Sequence, residues 1–495
     1  MERRSLRRVH APGNARASGA TRGGRQSPPL VAEAPALSQR RILALWWPLA
    51  ASWLLMGVEL PLFTACVARM PDPKVQLAAY GSLVFPIALV IEAPIMMLLA
   101  AATALAGDRE SWGRVRRFMH KTSACLTAVH AAVAFTPLFD VLARRVFDVP
   151  PEVIEPARLG LRILLPWTWS IAYRRTHQGV LIRFERGRVV VIGTALRLAG
   201  NALVYALGFV LLARGVAIPG IAVGAGAVAC GVVSEAAFIG WCTRALLAEH
   251  VLPARASGPA LTRAAFLRFY VPLALTPLIA LVTLPIGAAA MARMRDPLDS
   301  LAAWPGVHGL FFLVRSGGLA FNEVVLSLLG DGAHAARALR RFGLLLGLGS
   351  SLVLLAVAVT PLAGLWFAAV SGLPPELASL ASGAALLGVA WPFSQAMQSW
   401  FQGALTHHRR TRFVTEAMLV FFGVVSAALF VAVKATDWRG APTAVLALTL
   451  ASLCQTGWLA LRYRAALAHA APGSQPGHEV DQEVGEHVGQ RAMRP

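Results

Sequence analysis

The sequence predicts an all-α membrane protein of about twelve transmembrane helices in two six-helix lobes, and three observations predict it. Of 495 residues, 56% are hydrophobic and 14% charged, with a mean hydropathy of +0.59; an ordinary soluble domain carries about 25% charged residues. Apolar stretches recur from residue 42 to residue 468, most of them about 20 residues or longer, enough for a helix to cross ~30 Å of hydrocarbon. The chain also repeats itself: "ARMPDPKVQLAAYG" at 68–81 returns as "ARMRDPLDSLAAWP" at 292–305.

The twelve spans read as 43–67, 76–106, 118–138, 157–181, 189–213, 218–243, 266–292, 299–329, 342–367, 377–403, 413–433 and 441–461. The first follows some forty residues rich in Arg, Gly, Ser, Ala and Pro. It begins too late and runs too long for a cleavable signal peptide, so it is expected to remain. Asp72-Pro73 forms an outer turn before the second span, and Asp296-Pro297 forms its mate before the eighth. The third and ninth spans follow the basic loops "GDRESWGRVRRF" and "GDGAHAARALRRF". Between the sixth and seventh spans lies a linker over 244–265 with Pro253, Ser257, Gly258 and Pro259 as turn formers. The lobes are therefore 41–243 and 266–467, and the tails 1–40 and 468–495 are expected to be disordered.

A net charge of +21 invites a nucleic-acid reading, which the distribution of charge opposes. With both termini cytoplasmic, thirty-one of the 46 Lys and Arg fall in inner segments and nine in outer loops, the bias expected of cytoplasmic loops. Most of the surplus is a topology signal, with affinity for anionic lipid as a secondary effect; no nucleic-acid partner is expected. The usage of Arg over Lys suggests a GC-rich, bacterial genome, hence a cytoplasmic membrane. All five cysteines, Cys66, Cys125, Cys230, Cys242 and Cys454, lie in apolar spans without ligand-like spacing and are read as small hydrophobes.

The repeat holds over most of the chain at one ungapped offset. Trp47-Pro48-Leu49-Ala50 meets Val271-Pro272-Leu273-Ala274, Arg116-Arg117-Phe118 meets Arg340-Arg341-Phe342, Thr136-Pro137 meets Thr360-Pro361, and Trp167 meets Trp391. Two six-span copies of the same orientation form a parallel repeat about an axis along the membrane normal, an arrangement used by transporters whose halves rock about a central site.

With this design, the basic loops after the second and eighth spans, and the long linker, the chain resembles the MATE-like group of the multidrug, oligosaccharidyl-lipid and polysaccharide exporter superfamily. Within it, "WWPLA" (46–50), "LAAYG" (77–81) and "PWTWSIAYRRTHQGVLIRF" (166–184) make it most similar to the progressive ankylosis proteins. The resemblance implies alternating access, a central cleft bordered by the first, second, seventh and eighth spans, and an exported substrate such as citrate, a nucleotide or pyrophosphate.

Charges within a bilayer cost at least ~2.5–3.5 kcal/mol each and so mark candidate sites. Glu59 precedes Pro61 in the first span; Glu92 in the second precedes Pro94, whose missing N–H weakens the helix. The eighth span carries Arg315, with Asn322 and Glu323 two turns further on. In the repeat register Arg315 aligns with Ile91, beside Glu92. Glu59, Glu92 and Arg315 are thus expected to face one cavity, with Arg315 attracting an anion and Glu59, Glu92 or Glu323 acting in ion coupling or gating; the alternative is a static Glu92–Arg315 salt bridge. Arg174 with Gln178, and Arg197 with Asn201, are four apart and share helical faces, which suits phosphate or carboxylate, against the alternative that Arg174 and Arg175 snorkel. Gln395, Gln398 and Gln402 fall on one stripe of the tenth span. His177 is read as packing, and Glu235 and Glu416 as lying in the inner half with a minor part.

Cation-binding acids expected of drug-exporting relatives in the seventh or tenth span are missing. Neither GxxxxGK[ST], HExxH nor GxSxG occurs, so neither direct use of ATP nor an enzyme is expected. The resulting expectation is a monomeric secondary transporter of a small organic anion, without cofactor or metal, with a proton or sodium ion as coupling partner. A multidrug or cation exporter and a flippase for a lipid-linked oligosaccharide are the alternatives.

Overall fold

The structure is a computed structural model that describes residues 37–255, 261–331, 333–408 and 410–468. Most of both predicted tails, and residues 256–260 of the predicted linker, lie outside these residues. Twelve helical segments follow one another, with no β-strand among the described residues. They are α1 (Gln39–Val67), α2 (Pro73–Leu105), α3 (Arg109–Phe135 and Leu138–Phe147), α4 (Pro151–Ile163 and Leu165–Arg183), α5 (Gly187–Ala213) and α6 (Gly220–Val251). After the linker come α7 (Arg263–Ala292), α8 (Pro297–Leu328), α9 (Ala333–Val359), α10 (Pro375–Leu387 and Ala390–His407), α11 (Thr411–Ala435) and α12 (Gly440–Ala468). Helix therefore fills residues 244–251, which the sequence assigns to the linker.

Local chemistry sets the starts and breaks. Asp108 accepts from the backbone N–H groups of Glu110 and Ser111 at 2.9 Å, and Thr262 from that of Ala265 at 3.1 Å, satisfying donors that a helix start leaves open. Proline occupies the first position of α2, α4, α8 and α10, where no N–H is needed. Inside some helices it perturbs the ladder. Pro61 cannot bond the carbonyl four residues back, and α1 is interrupted between Gly57 and Glu59. In α2 a π turn at Tyr80–Val84 precedes Pro86, and a 3-10 turn at Ala93–Ile95 encloses Pro94. Its mate α8 runs unbroken despite Pro305.

Nine of these helices are long and apolar enough to span a bilayer, and eleven if the bent pairs in α3 (76°) and α10 (46°) each count as one. The chain is a multi-pass membrane protein. The remaining segment, α4, is too polar because of Arg158, Arg162, Arg174, Arg175 and Arg183. It buries much of that polarity inside its lobe, where Arg174, Thr176, His177 and Gln178 are all buried.

Across the lobes α1 and α2 pack on α8, and α2 also on α7. Both ends of this interface are bridged, and bridged twice over by the repeat. At the end carrying the α1–α2 and α7–α8 turns, Arg69 donates to the carbonyls of Ala369 (2.5 Å) and Val370 (3.2 Å), while Arg293 donates to those of Val146 (2.9 Å) and Phe147 (3.3 Å). Lys74 lies between Asp299 (3.1 Å) and Glu376 (2.8 Å) there. Nearer the linker end, the indole N–H of Trp46 donates to Gly317 O at 2.8 Å, and its register mate Tyr270 donates its hydroxyl to Pro94 O at 2.5 Å.

Candidate functional site

Glu59 lies in α1 two residues before Pro61, which leaves the Gly57 carbonyl without its usual backbone donor. Its Oε1 accepts from Asn201 Nδ2 at 3.0 Å, and its Oε2 lies 3.5 Å from Arg197 Nη2. Arg197 also reaches Glu235 on α6, Nε to Oε2 at 3.7 Å. The other oxygen of Glu235 accepts from Arg174 Nη1 and Gln178 Nε2 on α4, both at 3.1 Å. Four helices of one lobe are thereby joined through Asn201, Glu59, Arg197, Glu235 and Arg174. The α5–α6 approach that permits this depends on Gly231, where a Cβ would sit 1.8 Å from Asn201 Oδ1.

This overturns the expectation of two basic faces open to an anion, and snorkelling of Arg174 along with it. Arg174 and Arg197 are 4% and 5% exposed and paired with carboxylates, because a buried guanidinium without an acid leaves an uncompensated charge in low dielectric. Their hub is Glu235, fully buried, to which sequence reasoning gave a minor part. A signal existed: Glu235 is the lone charged residue in 218–243, and such a residue inside a membrane points to a partner.

Nor do Glu59, Glu92 and Arg315 share one cavity in this conformation; each turns into its own lobe. Glu92 is buried with Oε1 lacking a hydrogen-bond partner, and Arg174 and Arg175 are the cations whose fields reach it. Arg315 turns toward α10, its guanidinium 4.1 Å from the Trp391 ring centroid, and it donates to Gln395 Oε1. No Glu92–Arg315 salt bridge forms, and among the described residues no carboxylate lies within ion-pair distance of Arg315. Repeat register fixes depth, but one residue rotates a helical side chain by about 100°, and Glu92 is one residue away from the mate of Arg315.

The glutamine stripe also divides. Gln395 serves Arg315, whereas Gln398 Nε2 donates to Ser452 O (3.0 Å), Ser452 Oγ (2.8 Å) and Thr456 Oγ1 (3.2 Å), tying α10 to α12. Glu323 is exposed and outside both clusters. His177 stacks on Tyr173 at 4.0 Å and meets Trp112 edge-on, the packing role expected of it.

Away from its bridged ends, the seam between the lobes includes an apolar and aromatic stretch. Leu60, Tyr80, Phe85, Leu284, Trp304 and His308 are among the residues lining a crevice of only about 10 Å³, room for one water at most. His308, two turns from Arg315 along α8, was missed by sequence reasoning because a lone imidazole in an apolar run carries no pattern.

No protein-family model and no curated protein matches the chain. Solved structures do match in fold. An inward-facing multidrug-resistance MATE family transporter of the MOP superfamily aligns at TM-score 0.62 and 14% identity, over 86% of this chain and 99% of that one. The lipid II flippase MurJ, in an inward closed conformation, aligns at 0.63 and 12%, over 84% and 87%. A MOP superfamily transporter from Pyrococcus furiosus, described as having a binding pocket of reverse polarity that suggests a different function, aligns at 0.57 and 17%, over 86% and 96%. The chain has the two-lobed fold of MATE family transporters and of MurJ.

Proposed function

We propose that the chain is a secondary transporter that moves a small organic anion between its lobes by alternating access, with Arg315 as the anchor. The state of Arg315 carries this reading. It sits in the helix bundle without a carboxylate partner among the described residues, while Arg174 and Arg197 are neutralised within their lobe. Stacking on Trp391 fixes the guanidinium plane, and the N–H groups not given to Gln395, Nε among them, remain for a carboxylate or phosphate. The similarity of "WWPLA", "LAAYG" and "PWTWSIAYRRTHQGVLIRF" to progressive ankylosis proteins adds the class: citrate, a nucleotide or pyrophosphate, exported by a monomer with both termini cytoplasmic.

Coupling falls to the other lobe. Protonation of Glu59, or its capture of a sodium ion, would weaken its hold on Arg197; Glu92, with one unbonded oxygen, and Glu323 are further candidates. Arg197, Arg174, Asn201 and Gln398 then act by shaping and holding the lobes, and Gln395 by orienting Arg315.

Proteoliposomes loaded with labelled citrate or ATP test this. Flux should fall at least about tenfold in Arg315→Ala and survive partly in Arg315→Lys, since a buried charge-assisted contact contributes about 1.5–3 kcal/mol. Undiminished anion flux in Arg315→Ala sinks the assignment. Two readings compete. The MATE neighbours and the position of Glu59 favour a multidrug exporter, predicting dye extrusion that disappears in Glu59→Gln with no anion flux. The MurJ neighbour favours a flippase for a lipid-linked pyrophosphate, predicting loss of a surface polysaccharide when the gene is deleted.

A further inference from the structure

At the linker end of the first lobe, the ends of α4 and α6 and the start of α5 leave a cavity of about 550 Å³. Arg186, Arg244 and His250 bring basic groups to its wall and Glu249 one acid; Leu181, Val189, Trp241 and Leu246 supply apolar wall. Among the described residues, neither Arg186 nor Arg244 has an ion pair or a side-chain hydrogen bond. Trp241 is 66% exposed and lies on α6 one turn before Arg244; tryptophan is enriched at the level between hydrocarbon and headgroups.

The second lobe shows what the same place looks like when the protein fills it. There Phe413 replaces Val189 in the repeat register, and Leu405 replaces Leu181. Phe413 packs against a cluster that contains Leu405 and Leu459. Arg462 closes over it, 2.8 Å from Glu416, with its guanidinium 4.7 Å from the Trp458 ring and 5.1 Å from that of Phe413. The second lobe thus fills the recess with Phe413 and holds Arg462 against Glu416, whereas the first leaves Arg186 and Arg244 beside an open apolar recess.

We propose that this recess binds an anionic phospholipid, with the phosphodiester on Arg186 and Arg244 and an acyl chain along Val189 and Trp241. Guanidinium forks match phosphate oxygens, and basic pockets between helices at a membrane face take anionic headgroups. A free phosphate would use the arginines but not the apolar wall, so the lipid is the occupant that fits both. The site lies apart from Arg315 and from the Glu59–Glu235 cluster, and it stands whether or not the transported substrate is an anion.

The test uses the full chain in nanodiscs of POPC alone or POPC with a minority of POPG. Wild type should retain one POPG in native mass spectrometry, and its unfolding midpoint should rise by several degrees when POPG is present. In R186Q/R244Q, whose midpoint in pure POPC should match wild type and so report normal folding, retention should weaken roughly ten- to thirtyfold and the rise should vanish. Arg410→Gln, the register mate in the filled lobe, should behave as wild type. Equal POPG retention by wild type and R186Q/R244Q overturns the proposal. So does a midpoint shift with sn-glycerol 3-phosphate in detergent as large as that with POPG, which would assign the arginines to a soluble phosphate. If R186Q/R244Q already unfolds early in POPC, R186K/R244K decides: retention should be partial, and complete loss or no change counts against the fork geometry.

Discussion

Arg69 and Arg293 perform one task from opposite lobes. Each bonds the carbonyl four residues back in its own helix, Ala65 at 2.6 Å and Ala289 at 2.8 Å, and extends from there to carbonyls that end a short π-helical turn of the other lobe, Leu365–Val370 or Leu142–Phe147. A cation on unpaired carbonyls at a helix end is favourable, and charge-assisted bonds contribute about 1.5–3 kcal/mol. Arg69→Ala should therefore speed backbone hydrogen exchange in 362–373, and Arg293→Ala in 138–149, each in the lobe that was not mutated. Exchange altered only around the mutated residue would refute the cross-lobe clasp.

Gly372 sharpens the same contact. Its φ of +69 matches the φ of +57 at its register mate Asp148, and an added Cβ would lie 2.6 Å from Arg69 Nη1. Gly372→Ala is expected to cost about 1–2 kcal/mol through the left-handed conformation alone and to mimic Arg69→Ala in exchange. Asp148→Gly suits that φ but removes the carboxylate 3.6 Å from Arg293 Nε, so exchange over 138–149 should rise, by less than in Arg293→Ala.

The Glu235 hub yields a stability prediction. Glu235→Gln leaves Arg174 and Arg197 buried with too little negative charge, and breaking a buried pair from one side costs about 3–5 kcal/mol. Thermal unfolding in detergent should show a marked fall in midpoint. Glu59→Gln, at a carboxylate 21% exposed and able to keep an amide oxygen for Asn201, should fall by less than half as much; equal losses would mean that Glu235 is not the hub.

Trp391→Ala separates orientation from charge at the anion site. A desolvated cation–π contact contributes about 2 kcal/mol or more, so KM for citrate or ATP should rise by roughly ten- to thirtyfold in a proteoliposome flux assay, with Arg315 still present. Trp391→Phe should recover much of the loss. Unchanged KM in Trp391→Ala would remove the stacked guanidinium from the reading.

How legible this was depended on the kind of question. Helix number and the paired turns at Asp72 and Asp296 follow from hydropathy and an ungapped repeat, both one-dimensional properties. Partner choice does not. Arg174 and Arg197 looked like open anion sites because their mate Glu235 is thirty-eight or more residues away on another helix, and nothing along one helix says which neighbour it faces. Glu92 and Arg315 were placed at matching depth but turned apart, since register carries height and not azimuth. Trp391 was visible as the mate of Trp167, yet only the fold puts it under a guanidinium.

The π turn at Tyr80–Val84 gives α2 a property that unbroken α8 lacks. A π turn stores a surplus residue in the helix, since its bonds close over five residues rather than four. Paying that residue out on one side would turn the Phe85–Glu92 segment by about 100° like a pawl. The two halves of this molecule would then differ mechanically as well as chemically, one a stiff strut and the other a helix that can click.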